Sequence, residues 1–223
     1  RRQRQMCIRD SINSMREKLK VAIADFLDYI RFLVPFKTAL FKVKTISSTA
    51  DLSRFMQQQS AYISQATLFG YLKTRIGSRY VSHFNDEQFL ASVNMAKVEI
   101  YLAALEDFAL YTTSYMSAER GIFIKGYMED IFANIISNDQ DLKLAEDKKL
   151  KAIEHFKGRL NAMDIDKYFT NEPFKNSSET LYRFAPIADE LKVQDRDIVI
   201  NSMILKWKHV TDDLKKNSKN FSI

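Results

Sequence analysis

The stretch DEQFLASVNMAKVEIYLAALEDFALYTTSYMSA, residues Asp86–Ala118, decides the fold. It contains no glycine and no proline, the two residues that most reliably interrupt a helix. Apolar residues recur at Phe89, Val93, Ala96, Ile100 and Ala104, and again at Leu105, Phe108, Tyr111 and Tyr115. That spacing is helical, not alternating. Asn85 stands where an N-cap is needed and Gln88 completes a capping-box pattern three residues on. Asp86 and Glu87 place negative charge at the positive end of the helix dipole. A helix apolar on more than one face is buried in the middle of a bundle. The reading is therefore all-α: a single-domain helical bundle of about six to seven helices around a long central helix, 86–118.

The flanking sequence supplies the other helices. Ser14–Val34 carries a stripe of Leu19, Ile23, Phe26, Leu27, Ile30 and Leu33, and Pro35 closes it. Ser48–Ile76 opens with Ser48 and Asp51 in an S-x-x-D pattern and stops at Gly77. Further helices are predicted over Gly121–Ser137, over the charged Asp139–Met163, and over Asp195–Lys216 with Ile198, Ile200, Met203, Ile204, Trp207 and Val210 apolar. Pro186 suits the first turn of a short helix through Leu191. Ile165–Glu179, with Pro173 and several Asn and Ser, reads as the longest loop or a mobile arm.

The first ten residues read differently. RRQRQMCIRDS is what a transposase-type sequencing adapter encodes in one frame, its end giving Met6-Cys7-Ile8-Arg9-Asp10 and opening the codon of Ser11. Residues 1–10 are therefore set aside as non-native, and Met15 offers a start. Removing Arg1, Arg2, Arg4, Arg9 and Asp10, four positive charges and one negative, lowers the formal net charge from +6 to +3. It also removes Cys7, the single cysteine, and with it any disulfide, thiolate metal site or cysteine nucleophile. The remaining organisation is an N-terminal helix and linker over 11–47 and a helical domain over 48–218. No run of about 18 apolar residues, the length of a membrane span, occurs. A cytoplasmic setting fits, with peripheral contact to a membrane as a variant.

Two groups of side chains stand out as candidate sites. Lys73, Arg75 and Arg79 sit beside Tyr71 and Tyr80 at the end of the second helix. Basic and aromatic interleaving can hold an anion or a single-stranded nucleic acid. The same cations can equally serve the C-terminal end of the helix dipole. The second group is on the central helix: Glu99 and Glu106 share a face seven residues apart, with Asp107 and Lys97 close by. Buried carboxylates need partners, and Arg75, Arg79 or Lys97 are the expected ones. A polar pocket between the second and third helices follows, or else a purely structural network of ion pairs.

The remaining chemistry is sparse. His83, His155 and His209 lie on three separate segments with no metal-ligand spacing. Gly121 and Gly126 have the spacing of a phosphate loop, but Tyr127 and Met128 replace the required Lys and Ser/Thr. No G-x-S-x-G elbow is present. No cofactor and no metal are expected.

Ala61–Tyr80, Arg183–Lys192 and Asp195–Ser202 together resemble a family of uncharacterised alphaproteobacterial helical proteins, some automatically named esterase. The resemblance spans most of 50–215 and implies a bacterial source and one helical domain. It brings no catalytic residues. Three functions are then in view. The first is a non-catalytic helical module, regulatory or binding a protein partner not identified by the sequence. The second is an esterase-type hydrolase, implied by the resemblance alone. The third is a binder of an anionic membrane surface or nucleic acid through Lys37, Lys42, Lys44, Lys73, Arg75 and Arg79.

Overall fold

The structure is a computed structural model and describes residues 45–77, 80–139 and 144–222. The helix read over Ser14–Val34, the adapter-like segment, Lys37, Lys42, Lys44 and Arg79 lie outside the described residues. Among the described residues there are seven α-helices and no strand, so the bundle is all-α. The helices are α1 (Thr49–Ile76), α2 (Glu87–Arg120), α3 (Lys125–Asn138), α4 (Glu146–Ala162), α5 (Lys175–Phe184), α6 (Asp189–Lys192) and α7 (Arg196–Asn217), with short 3-10 turns at Tyr80–Asn85 and Tyr168–Thr170.

α2 is the axis. Every residue from Ile100 to Ser117 is buried, on all sides of the helix. It packs against α1, α3, α4 and α5. Its cap is Asp86, not Asn85: the Asp86 Oδ1 accepts from the amides of Gln88 and Phe89 at 2.9 and 3.1 Å. Asn85 is instead consumed by the preceding 3-10 turn. The start of α1 is capped as the sequence suggests. Ser48 Oγ accepts from the Asp51 amide at 3.2 Å, and Asp51 Oδ2 accepts from the Ser48 and Ser47 hydroxyls at 2.9 and 3.0 Å. The Ser48 hydrogen bond, with those from Ser47, holds the Asp51 carboxyl below its ordinary value.

Three boundaries move, each for a physical reason. Gly121 ends α2 instead of opening α3. It adopts a left-handed conformation, φ 63° and ψ 22°, and its amide and that of Ile122 close onto the carbonyls of Ser117 and Met116. α3 accordingly begins four residues later. A Cβ at Gly121 would meet nothing within 4 Å, so the cost of a side chain there is confined to the backbone. Gly121→Ala is expected to lower stability by roughly 1–2 kcal/mol, the usual left-handed penalty, measurable as a shift in urea midpoint at unchanged slope. α4 starts at Glu146, not Asp139, and the short helix after Pro186 starts at Asp189.

The largest correction concerns Ile165–Glu179, which is not a free loop. α5 begins inside it, directly after Pro173 and Phe174, and Ser177, Ser178, Thr180 and Leu181 are buried. Phe174 stacks on Trp207 with ring centroids 4.5 Å apart and planes 8° apart, and touches Tyr111 at 5.3 Å. Trp207 in turn meets Phe108 at 5.1 Å, and Phe108 meets Phe55 at 5.9 Å. This aromatic cluster joins α1, α2, α5 and α7. Long-range burial thus overrides the weak local helix preference of Asn and Ser.

α7 also packs on a narrower face than its apolar content suggests. Val199, Met203, Trp207, Val210 and Leu214 are buried, whereas Ile198, Ile204 and Leu205 are exposed. Its C-terminal end is closed by Arg120, whose guanidinium donates to the carbonyls of Ser218 and Lys219 at 2.9 Å each. The Ile46 amide donates to the Asn217 carbonyl at 2.9 Å. Among the described residues no helix is long and apolar enough to cross a membrane.

Candidate functional site

The face of α2 that carries Glu106 and Asp107 is turned toward α4 and the segment leading into α5. Both carboxylates are buried, and a single guanidinium joins them. Arg159 Nη1 donates to Glu106 Oε2 and Arg159 Nη2 to Asp107 Oδ1, each at 2.8 Å. The Ser177 amide, in the first turn of α5, donates to Asp107 Oδ2 at 2.7 Å. This is a helix N-terminus holding a carboxylate, the favourable polarity for the dipole. Arg159 Nη2 also reaches the Tyr168 hydroxyl at 3.2 Å, and that hydroxyl donates to the Pro173 carbonyl at 3.0 Å. The buried acids therefore hold α4, the 3-10 turn at 168–170 and the start of α5 against α2.

Burial pushes the Asp107 carboxyl up, against the downward pull of Arg159 and the Ser177 amide. Burial opposes the charge on Arg159, but Asp107, Tyr168 and Glu106 together outweigh it and the guanidinium is raised. The Tyr168 hydroxyl is raised by burial and then by the nearby Asp107 charge. A buried acid with a raised value keeps its proton in the folded chain where the unfolded chain has lost it. The stability contributed by Asp107 is then full in acid and declines as pH rises from about 4 through the raised value. The difference in unfolding free energy between the native chain and Asp107→Asn should therefore fall as pH rises from about 4 to the raised value and level off above it. A pH-independent difference would rule this out.

Glu106 has a second partner. His155 Nδ1 lies 2.8 Å from Glu106 Oε1, while 65% of the His155 side chain remains accessible. A carboxylate already accepting from Arg159 also accepts here, which places the imidazole proton on Nδ1 and leaves the other ring nitrogen outward. Above this pair lies a cavity of about 370 Å³ between α2, α4 and α5. Leu102, Ala103 and Glu106 line it from α2. Lys148, Lys151 and His155 line it from α4, and Asn176, Thr180 and Arg183 from α5. Lys148 Nζ donates to Glu99 Oε1 at 2.5 Å across the rim.

Of the acids expected around a polar pocket between α1 and α2, Glu99 and Glu106 line this cavity between α2, α4 and α5, and Asp107 does not. Their partners come from α4 and α5, not from Arg75 of α1. Lys97 lies half-buried on α2 and is not among the residues lining the cavity. The missing signal was present in α4: Lys148, Lys151, His155 and Arg159 recur every three to four residues and form one basic face. That face resembled a solvated one because its counter-charges are some fifty residues away.

Of the second predicted group the structure brings Tyr71 and Arg75 together, on the acid just before α7, and does not describe Arg79. Arg75 forms a two-point ion pair with the buried Asp195, and the Tyr71 hydroxyl donates to the same carboxylate at 2.9 Å. Burial raises the Tyr71 hydroxyl, with Arg75 acting against it. Asp195 is the residue before α7, so this pairing joins the end of α1 to the start of α7. Tyr80 is buried with its ring edge-on to Phe84, centroids 5.9 Å apart, and Lys73 is exposed. The buried Asp195 could not have been located from local spacing. Among the described residues no group of three or more His, Cys, Asp and Glu side chains could hold a metal ion.

Comparison of the chain with known protein families, with curated proteins and with solved structures finds no match to any of them.

Proposed function

We propose that this chain is a non-catalytic helical module that works by binding, as a regulatory or interaction protein. One observation carries the reading. Of the nine large apolar side chains exposed among the described residues, five lie within the stretch 191–205: Leu191, Val193, Ile198, Ile204 and Leu205. Isolated exposed apolar side chains are ordinary, but a concentration in one stretch is characteristic of surfaces that meet a partner. Ile198 and Leu205, seven residues apart, share one outer face of α7.

The buried polar chemistry supports the same reading. Glu106 and Asp107 are engaged by Arg159, His155 and the Ser177 amide, and the Ser177 and Ser178 hydroxyls donate to the backbone carbonyls of Phe174 and Lys175. These groups tie elements together and leave no serine of this cluster on a histidine. The test uses the chain as bait at low and high salt beside the double variant Ile198→Glu, Leu205→Glu. The expected result is a partner recovered at both salts by the native chain and lost by the variant at unchanged helicity. Recovery that survives the variant, or that vanishes at high salt for the native chain, removes this face from the proposal. A serine-reactive fluorophosphonate probe completes it. No labelling of the folded chain is expected, and labelling would favour the hydrolase that the family resemblance implies.

A further inference from the structure

We propose that the cavity between α2, α4 and α5 is a binding site for a small organic anion, an oxyanion head on a compact apolar body. The assignment comes from which hydrogen-bonding groups are already used and which are not.

Each carboxylate lining the cavity already has a cationic or imidazole partner. Glu99 accepts from Lys148, and Glu106 accepts from Arg159 and His155. The side-chain donors on the α5 wall are not so engaged. Asn176, Thr180 and Arg183 are spaced by four and three residues, so they form one stripe along the helix face. Thr180 is only 4% exposed, yet its hydroxyl has no hydrogen-bond partner among the described residues, nor has the Asn176 side-chain amide. The Arg183 guanidinium lies 5.1 Å from the Phe184 ring centroid and makes no ion pair among the described residues. A threonine on a helix ordinarily returns its hydroxyl to a carbonyl three or four residues back, as Thr67 and Thr113 do here. Thr180 departs from that habit at the wall of a cavity.

The opposite wall adds positive charge. Lys151 meets only Asp147, at 3.6 Å on an exposed surface, a pairing that costs little to exchange. The unspent capacity is therefore rich in donors and cationic, on two facing helices. An anion with several acceptor oxygens satisfies it, and a guanidinium beside a hydroxyl and an amide suits a carboxylate or a phosphomonoester. Leu102, Ala103 and Phe184 offer the apolar surface for the rest of the molecule. The volume, about 370 Å³, sits near the lower end of small-molecule sites, which span roughly 300–1,000 Å³. A compact ligand fits and a nucleic-acid strand does not.

The experiment titrates the full chain with phenyl phosphate and with phenylacetate, by calorimetry and by following backbone amide resonances. Inorganic phosphate and vesicles containing phosphatidic acid are run as separate arms. Arg183→Gln, Thr180→Val and Arg196→Gln are compared with the native chain. Arg196 lines a neighbouring cavity that shares Asn176 and Arg183 with this one, but does not line this one, and Thr180 lines this one alone of the two. Saturable binding of either aromatic anion, at least about tenfold tighter than inorganic phosphate, is expected. It should weaken about tenfold in Arg183→Gln and measurably in Thr180→Val, with no change in Arg196→Gln. Resonance shifts should concentrate at 102–106, 148–155 and 176–184. Equal loss in Arg196→Gln, or binding of inorganic phosphate as tight as that of the aromatic anions, overturns the proposal. So does sedimentation with the vesicles by a chain that binds neither soluble aromatic anion. Failure of this titration leaves the α7 surface reading intact, since Ile198 and Leu205 do not line this cavity.

Discussion

Arg159→Met is expected to lower the unfolding free energy by about 3–5 kcal/mol, the range seen when one partner of a buried ion pair is removed. The substitution keeps an unbranched apolar stem along α4 and takes away only the charge and its donors. Glu106 and Asp107 then stand buried with His155 and the Ser177 amide as their remaining partners. Two carboxylates in apolar surroundings without a guanidinium between them are costly, because neither desolvation nor mutual repulsion is offset. The effect should reach beyond α4, since Arg159 also holds Tyr168 and through it the chain entering α5. Urea unfolding followed by circular dichroism measures it. A loss below about 1 kcal/mol would mean that water enters through the cavity and solvates the acids. The triple variant Glu106→Gln, Asp107→Asn, Arg159→Met separates charge from packing. It should recover much of the loss, because an uncharged network of similar volume leaves no stranded ion.

Trp207→Ala is expected to cost about 3–5 kcal/mol, the usual range for truncating a large aromatic core residue. Trp207 is fully buried and bridges Phe108 of α2 and Phe174 at the mouth of α5. Its loss opens a void where α2, α5 and α7 meet, and the stacked Phe174 loses a partner. The indole Nε1 has no hydrogen-bond partner among the described residues. Trp207→Phe therefore removes an unpaired donor together with some ring volume, and should cost less than about 1.5 kcal/mol. Thermal unfolding by circular dichroism compares the two, since removing the chain's single tryptophan also removes its fluorescence. Equal destabilisation by both substitutions would show that indole shape, not burial, holds the junction.

The helices were legible where periodicity and capping acted locally. Asp86–Ala118 could be read because an unbroken apolar repeat and an acidic cap belong to the helix itself. Gly121 was ambiguous for the same local reason: a glycine between two helical patterns can end one or open the other, and only its left-handed backbone decides. α5 was hidden because Asn176, Ser177 and Ser178 speak for a loop in isolation. What makes them helical is Phe174 seated on Trp207 and the Asp107 carboxylate at the Ser177 amide, contacts to residues far away in sequence. The site divides in the same way. That Glu106 and Asp107 require partners follows from burial. That the partners are Arg159 and His155 follows from which helix the topology lays beside them, and Arg75 was equally eligible until Asp195 engaged it.

The all-round burial of Ile100–Ser117 has a dynamic consequence. No face of this half of α2 can part from its neighbours without opening the packing on every other side. Partial opening therefore does not release its amides, and their deuterium exchange should proceed only through complete unfolding. Exchange at Leu105 or Phe108 in native buffer would then report the global stability directly, without denaturant. The ends of α3 and α4, packed on fewer sides, would exchange by smaller, local excursions. The central helix would serve as a gauge for the whole molecule, against which any ligand or partner could be scored by how far it slows that exchange.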